Sequence, residues 1–153
     1  MGNSAAIEKV VRAVLESRRF AVLATEGNGQ PHASLMAIAS TSDVRALVFG
    51  TYRDTTKYRN LERNGRVALL IDGRGNADSS QGSPVVVTVL GEARELEGAA
   101  RQEALQMLVA RHPELAEFAN SPACALMRVE VAAYQLARGV DDVQWWSIKA
   151  AAN

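Results

Sequence analysis

The sequence has one cysteine, few aromatic residues, no net charge and no long hydrophobic run. Cys124 is the only cysteine among 153 residues, which excludes an intramolecular disulfide framework and any multi-cysteine metal site. The longest uninterrupted apolar runs, residues 20–24 and 67–71, are far too short to span a membrane. The charged N-terminal segment lacks the apolar stretch of a signal peptide. These absences predict a cytoplasmic protein with no membrane association.

The charge balance argues against nucleic acid as a partner. The 17 basic side chains equal the 17 acidic ones, and aromatic residues make up only 5%, whereas nucleic-acid binding needs a basic excess or stacking platforms. The charges are nevertheless uneven along the chain. Residues 53–66 hold two acidic side chains and five basic ones, namely Arg53, Lys57, Arg59, Arg63 and Arg66. This local excess predicts a small anionic ligand.

Length and periodicity predict one domain, residues 1–153, with more strands than helices. A first helix, with Ser4 as a candidate cap, reaches Ser17. Later helices are expected at residues 99–111 and from Pro113. Alternation and turn residues predict strands at residues 20–25, 31–39, 44–49, 66–72, 84–96 and 125–136, with an edge strand at 143–148 and a possible bulge at Gly91. Six or seven mostly antiparallel strands with a few helices indicate a β-barrel of the α+β class, mainly β.

A long loop interrupts this pattern at residues 73–83. It holds three glycines and no large apolar side chain, which indicates an exposed loop. Loops of this length in compact domains often have a function. Two interpretations stay open: a flap over a ligand, or a tolerated insertion.

The segment most informative about chemistry is residues 49–61, where a strand ends, a loop follows and a helix begins. Asp54 or Thr55 can cap the helix, and its free N–H groups and dipole favour an anion. The hydroxyl donors Thr51, Thr55 and Thr56 and the cations Arg53 and Lys57 would suit a phosphate monoester. The alternative is a capped surface helix with solvated basic side chains.

In the order of its segments the chain resembles the pyridoxamine 5′-phosphate oxidase-like, FMN-binding split β-barrels. Residues 20–25 with 29–34 resemble the family's first hairpin, and residues 48–57 resemble its phosphate-binding strand, loop and helix. Residues 60–71 are similar to the helix and strand that follow. Residues 85–94 resemble a strand that ends in a Gly-x-Ala-Arg turn. The resemblance covers residues 19–146 and implies a Greek-key split β-barrel of six or seven antiparallel strands with peripheral helices.

The resemblance also implies a cofactor, a partner and site residues. FMN would lie between two subunits of a homodimer, with a small molecule as the substrate. Thr56 and Lys57 match the phosphate-binding pair, and Gly50 and Thr51 would lie near the ribityl–phosphate side. The isoalloxazine would run beside Ser34, Leu35, Met36 and Ala37, while Trp145 and Trp146 would reach the flavin of the other subunit.

Two departures from the family pattern limit the expected activity. The tail, residues 139–148, lacks the paired arginines and histidine with which oxidases of pyridoxamine phosphate bind substrate, so we do not expect a vitamin B6 oxidase. The phosphate pair is Thr-Lys where those oxidases commonly have Arg-Lys, which predicts weaker FMN binding. We expect an oxidoreductase acting on an unidentified small molecule. The alternatives are the same fold binding F420, haem or biliverdin, and a flavin-binding module without catalysis.

The remaining candidate residues have structural interpretations. His32, at a strand start, is a possible haem ligand but is better explained as structural. His112 favours a helix C-terminal dipole. Cys124 is expected in the core because no nearby basic group lowers the pKa of its thiol. Trp145 and Trp146 are adjacent on a strand and should face opposite sides, so one packs inward and the other either stacks on a ligand or packs in a dimer.

Overall fold

The computed structural model describes residues 2–75 and 84–148. The loop predicted at residues 73–83 therefore falls mostly outside the described residues. The helices are α1 (Gly2–Ser17), α2 (Thr56–Arg63), α3 (Gly98–Arg111) and α4 (Ala116–Asn120), and a 3₁₀ turn (Pro113–Leu115) precedes α4. The strands are β1 (Phe20–Gly27), β2 (Gln30–Ala37), β3 (Ala39–Ser40), β4 (Ala46–Tyr52), β5 (Arg66–Asp72), β6 (Val86–Glu95), β7 (Cys124–Ala137) and β8 (Val143–Ser147).

The strands form one antiparallel sheet that curls into a half-barrel. Its path runs β2-β1-β5-β6-β7-β4-β3, and β8 pairs with β7 off this path. The two ends of the path, β2 and β3, are separated only by Ile38. Because two peptide units span at most about 7 Å, this short link holds the two ends of the sheet together. The expected α+β, mainly β architecture is confirmed.

Strand β7 is where the barrel splits. One of its edges pairs with β6 from Met127 to Ala137. The other edge is shared: β4 pairs with residues 124–130, and β8 pairs with residues 133–137. The register between β6 and β7 shifts at Gly91. A Cβ at this position would lie 2.4 Å from the carbonyl oxygen of Glu130, so the close approach of the two strands here requires a glycine. The register shift confirms the irregularity predicted at Gly91, although the extra residue is Ala132 of β7.

The core lies inside the curl and follows the strand alternation. One inward row crosses the sheet in register as Leu23, Leu69, Val89 and Tyr134, all fully buried. Burying one such leucine contributes about 1.5–3 kcal/mol. Helix α1 closes one side of this core through Val11 and its neighbours. A second, smaller hydrophobic cluster joins α3 and α4 to β4 and β7.

Three details differ from the sequence predictions. The strand expected at residues 31–39 breaks at Ile38 into β2 and β3, which gives eight strands in the described part of the chain. The strand expected from Val44 begins at Ala46, because Val44 has φ 53° and lies in the turn. Ser4 lies inside the first turn of α1, which begins at Gly2.

None of the helices in the described ranges has the length and hydropathy needed to cross a membrane. His112 ends α3 and is fully buried, with Nε2 2.8 Å from the Ile38 carbonyl oxygen. It therefore ties α3 to the link between β2 and β3, which confirms its structural interpretation. Cys124 is also fully buried, and burial raises the pKa of its thiol. Its core placement is confirmed.

Candidate functional site

The β4–α2 junction is built from threonine hydroxyls and a helix start. Thr55 is the N-cap of α2, and its Oγ1 accepts a hydrogen bond from the Tyr58 N–H at 3.2 Å. The same oxygen lies 3.2 Å from Thr51 Oγ1 and donates to the Tyr52 carbonyl at 2.9 Å. Of the two candidate caps, Thr55 therefore holds this position and Asp54 does not. These bonds fix the turn between the strand and the first turn of the helix.

A pocket of about 360 Å³ lies between this junction and the edge strand β2. Its volume falls in the range of about 300–1,000 Å³ that is typical of small-molecule sites. Seven of the twelve residues predicted to bind cofactor line it: Leu35, Met36, Ala37, Gly50, Thr51, Thr55 and Lys57. They come from segments that are distant in sequence, and the curl of the sheet brings them together.

The rest of the pocket lining is mostly apolar and was not predicted. It comes from the start of β1, from α3 and α4 and from the turn between these helices, with Phe20, Leu108, Leu115 and Phe118. Phe118 also packs edge-on against Tyr52, with ring centroids 4.9 Å apart. The sequence predicts only a strand start and helices for these residues, because their spacing gives no sign of contact with a ligand.

Gly50 allows Phe118 to come close to β4. A Cβ at Gly50 would lie 3.1 Å from the Phe118 ring and 3.0 Å from Cys124 Sγ. A side chain there would crowd both Phe118 and Cys124. The close approach of Phe118 to β4 therefore depends on a glycine at this position.

The ionisable lining of the pocket includes one lysine and one glutamate. Lys57 occupies the second position of α2, next to the free N–H groups of the first turn. Glu114 comes from the turn between α3 and α4 and pairs with Arg19 at 3.2 Å. Its own backbone N–H, and the charges of Arg19 and His112, lower the pKa of Glu114. The pocket lining therefore carries one cation from α2 and one arginine-paired carboxylate.

Three predicted residues lie beside the pocket without lining it. The guanidinium of Arg53 binds Glu95 at 2.6 Å and the Pro122 carbonyl at 2.8 Å. Thr56 begins α2, and its hydroxyl accepts a weak bond from Arg59 at 3.4 Å. Ser34 lies opposite Leu23 in the pairing of β1 with β2, so its side chain is on the same inward face of the sheet as that of Leu23.

Trp145 and Trp146 face opposite sides of β8, as predicted. Trp146 stacks on Tyr134 with a centroid distance of 5.5 Å and packs against the core. Trp145 stands on the outer face and is 53% exposed. Neither tryptophan lines the pocket of its own chain.

The two histidines do not form part of this pocket either. His32 lies on β2 in register with Thr25, on the inward face, and its Nδ1 is buried without a hydrogen-bond partner among the described residues. In the same described ranges, no cluster of three or more His, Cys, Asp or Glu residues could hold a metal ion.

A broad groove lies on the outer face of the sheet, across β1, β5, β6 and β7. Its volume is about 1140 Å³, and its floor includes Ala24, Ala68, Leu90 and Ala133 in one register row. Charged side chains such as Arg66, Glu92 and Glu130 stand at its rim. None of the predicted cofactor residues lines it, so it is separate from the small pocket.

Comparison with known proteins identifies the fold. A family model described as pyridoxamine 5′-phosphate oxidase matches residues 7–141. No curated protein matches the sequence significantly.

Several solved structures share the fold at low sequence identity. A haem-binding protein from Mycobacterium smegmatis superposes with a TM-score of 0.77 at 20% identity, covering 89% of this chain and 55% of that protein. General Stress Protein 26 from Bacillus anthracis has a TM-score of 0.71 at 19% identity, covering 93% and 98%. HutZ, the haem storage protein from Vibrio cholerae, has a TM-score of 0.68 at 16% identity, covering 81% and 89%. This chain thus spans little more than half of the Mycobacterium smegmatis protein.

Proposed function

The chain belongs to the pyridoxamine 5′-phosphate oxidase family, and on that basis we propose that it is a homodimeric FMN-binding flavoprotein that carries out redox chemistry on a small molecule. One observation carries this proposal. A single pocket combines a lysine, threonine hydroxyls and a helix N-terminus at one end with an edge strand and apolar side chains along its length. That combination suits a flat ring system joined to a phosphate.

The phosphate would lie at the start of α2. Lys57 supplies the positive charge, and the free N–H groups of the helix add hydrogen-bond donors. Thr51 and Thr55 place hydroxyl groups at the same end, already ordered by their mutual hydrogen bond. The turn is therefore ordered before a ligand arrives, which lowers the entropic cost of binding.

The ring system would lie against β2. In the described part of the chain, β2 has a strand partner on one edge only, so its other edge offers backbone N–H and C=O groups. Leu35, Met36 and Ala37 on this strand line the pocket, and Phe118 and Leu115 add apolar side chains to its lining. Backbone hydrogen bonds from the strand edge and apolar contact from these side chains fit an isoalloxazine. When bound, FMN supplies the hydride or electron transfer, and the protein supplies orientation and electrostatics.

The lining favours FMN over the two alternative cofactors. F420 has a longer anionic tail and would need an extended basic groove, but Lys57 is the only basic residue among those that line this pocket, and the carboxylate of Glu114 also lines it. Haem would need an axial ligand, and neither His32 nor His112 lines the pocket. The haem proteins with the same fold are under 25% identical to this chain, so their likeness concerns the fold.

The outer face of the sheet supports the homodimer. A register row on this face begins with the apolar residues Leu35, Val22 and Leu70 and continues through the polar Thr88 and Gln135 to Trp145. Leu35 is 71% exposed and Leu70 44% exposed, and neighbouring exposed apolar side chains mark an interaction site.

The two ends of this row suggest how the subunits would meet. Leu35 lies at the pocket, and Trp145 lies at the far end. In a two-fold dimer, a contact between one residue of the first copy and another residue of the second copy occurs twice, with the two copies exchanged. Two antiparallel copies of the row would therefore bring Trp145 of each subunit to the pocket of the other.

An absorbance spectrum of the purified protein, before and after addition of FMN, tests the proposal. We expect a two-band flavin spectrum and an FMN mass for the released chromophore. A Soret band would move the assignment to haem, and an F420 mass would move it to deazaflavin chemistry. If no chromophore is present and added FMN does not bind, the proposal is wrong. Failure of every nicotinamide or artificial donor to reduce bound FMN would favour a non-catalytic flavin module.

A further inference from the structure

One carboxylate joins the loop and the helix on either side of Lys57. Glu95, the last residue of β6, accepts a hydrogen bond from the Tyr58 hydroxyl at Oε1 (2.5 Å) and from Arg53 Nη2 at Oε2 (2.6 Å). Arg53 precedes α2 by three residues, and Tyr58 lies in its first turn. Glu95, which belongs to β6, thus holds both the loop before Lys57 and the residue directly after it.

We propose that Glu95 is a positioning residue for the phosphate end of the pocket, acting through Arg53 and Tyr58, and that Arg53 is a tie for the loop and not a ligand of the anion. This inference rests on the proposed function and deepens it. It changes the expectation from sequence, in which Arg53 and Lys57 shared the contact with phosphate.

The contacts of Arg53 support this role. Besides Glu95, its guanidinium donates to the Pro122 carbonyl at 2.8 Å, and its backbone N–H donates to the Ala123 carbonyl at 3.3 Å. Arg53 thereby fastens the loop to the segment that leads into β7. These bonds engage both terminal nitrogens of the guanidinium, and Arg53 is not among the residues that line the pocket.

The contacts of Tyr58 hold the other side. Tyr58 is 9% exposed. Its backbone N–H donates a hydrogen bond to Oγ1 of the capping Thr55, and its hydroxyl donates one to Glu95. The hydrogen bond to Glu95 raises the pKa of the Tyr58 hydroxyl. Burial alone would raise the pKa of Glu95, but the bonds from Tyr58 and Arg53 outweigh it and lower that pKa. Glu95 is therefore ionised at neutral pH and keeps both partners in place.

Electrostatics and positioning predict opposite effects when the charge of Glu95 is removed. If Glu95 acted only through its charge, Glu95→Gln would remove a repulsion and would tighten the binding of an anion. If Glu95 positions the loop and α2, the same change releases Arg53 and Tyr58, misplaces Lys57 and weakens binding. The sign of the change in affinity therefore distinguishes the two roles.

The experiment compares FMN with riboflavin, which lacks the phosphate. Fluorescence quenching gives both dissociation constants for the wild type, Glu95→Gln, Tyr58→Phe and the control Glu103→Gln, which removes an equal charge from the exposed face of α3. We expect FMN affinity to fall about tenfold or more in Glu95→Gln and less in Tyr58→Phe, with riboflavin affinity unchanged in both. Glu103→Gln should behave as wild type.

Two results would overturn the inference. One is FMN affinity in Glu95→Gln that equals or exceeds that of the wild type. The other is an equal loss of FMN and riboflavin affinity, which would indicate a general structural defect.

A different result would overturn the proposed function instead, namely a wild type that binds neither flavin. In that event, hydrogen exchange of the protein without cofactor still tests Glu95. Amides of residues 53–59 should exchange faster in Glu95→Gln than in Glu103→Gln, and equal rates would refute the positioning role.

Discussion

Replacement of Lys57 by alanine tests the phosphate end of the pocket directly. Lys57 is the only basic side chain among the residues that line the pocket, and it stands at the second position of α2. The substitution removes one charge-assisted contact to the phosphate and leaves the threonine hydroxyls and helix N–H groups in place. It should therefore weaken the binding of FMN without abolishing the pocket.

The size of the loss follows from the kind of contact. A hydrogen bond to a charged group contributes about 1.5–3 kcal/mol, and about 1.4 kcal/mol corresponds to a tenfold change in affinity. The FMN dissociation constant should thus rise between about tenfold and about 150-fold. Riboflavin has no phosphate, and its dissociation constant should change by less than about twofold.

The matched control is Arg63→Ala, at the other end of the same helix. Arg63 lies six residues beyond Lys57, or about 9 Å along the axis, which is close to the screening length of about 8 Å at physiological salt. Its removal changes the net charge of the helix equally but should alter FMN affinity little. Titrations of flavin fluorescence at two salt concentrations measure both variants, and the salt dependence should decrease only in Lys57→Ala.

Two outcomes would refute this reasoning. Equal losses in Lys57→Ala and Arg63→Ala would show that the general charge of α2, and not a contact at its start, attracts the ligand. Equal losses of FMN and riboflavin affinity in Lys57→Ala would show that Lys57 supports the pocket and does not bind the phosphate.

Three further predictions concern the assembly, the core and the pH dependence. Leu70→Lys, in the outward register row, should convert a dimer to monomers in sedimentation analysis, whereas the fully exposed control Val140→Lys should not; dimers in both variants would contradict the proposed interface. Tyr134→Phe removes the 2.6 Å hydrogen bond to the buried Val44 carbonyl and should lower the free energy of unfolding by about 1–3 kcal/mol; an unchanged denaturation midpoint would argue against that bond. Because the folded pKa of Glu95 is lowered, its stabilisation is present above the unfolded pKa of about 4.3 and is lost as the pH falls through the folded pKa. Melting temperatures of Glu95→Gln should therefore decline less steeply on acidification than those of the wild type, and parallel curves would refute this.

The strands were predictable because each depends on a local pattern. Alternating burial in β1, glycine and asparagine in the following turn, and the bulge at Gly91 are all visible in the sequence. For the N-cap of α2 the sequence offers two neighbouring candidates, Asp54 and Thr55, and in the structure Thr55 is the cap. The break at Ile38 was not predictable, since it depends on how β2 and β3 reach opposite ends of the curled sheet.

The candidate site divides in the same way. Threonines and a lysine at the start of a helix indicate an anion site by themselves, because the helix end and the side chains are neighbours in sequence. The apolar side chains of Phe118 and Leu115 gave no such signal, because only tertiary packing brings them to the same pocket as β2. Glu95 was also missed, since its two partners are 37 and 42 residues away along the chain.

The sequence by itself therefore determined the strands, the capped helix and the chemical character of its first turn, because those properties arise from contacts over a few residues. The tertiary structure decided which side chains share the pocket and which partners each of them has. It paired Arg53 with Glu95, and it separated Trp145 on the outer face from Trp146 in the core. The reason is that these roles depend on sheet register and on the curl that joins distant strands, and neither is encoded in a short stretch of chain.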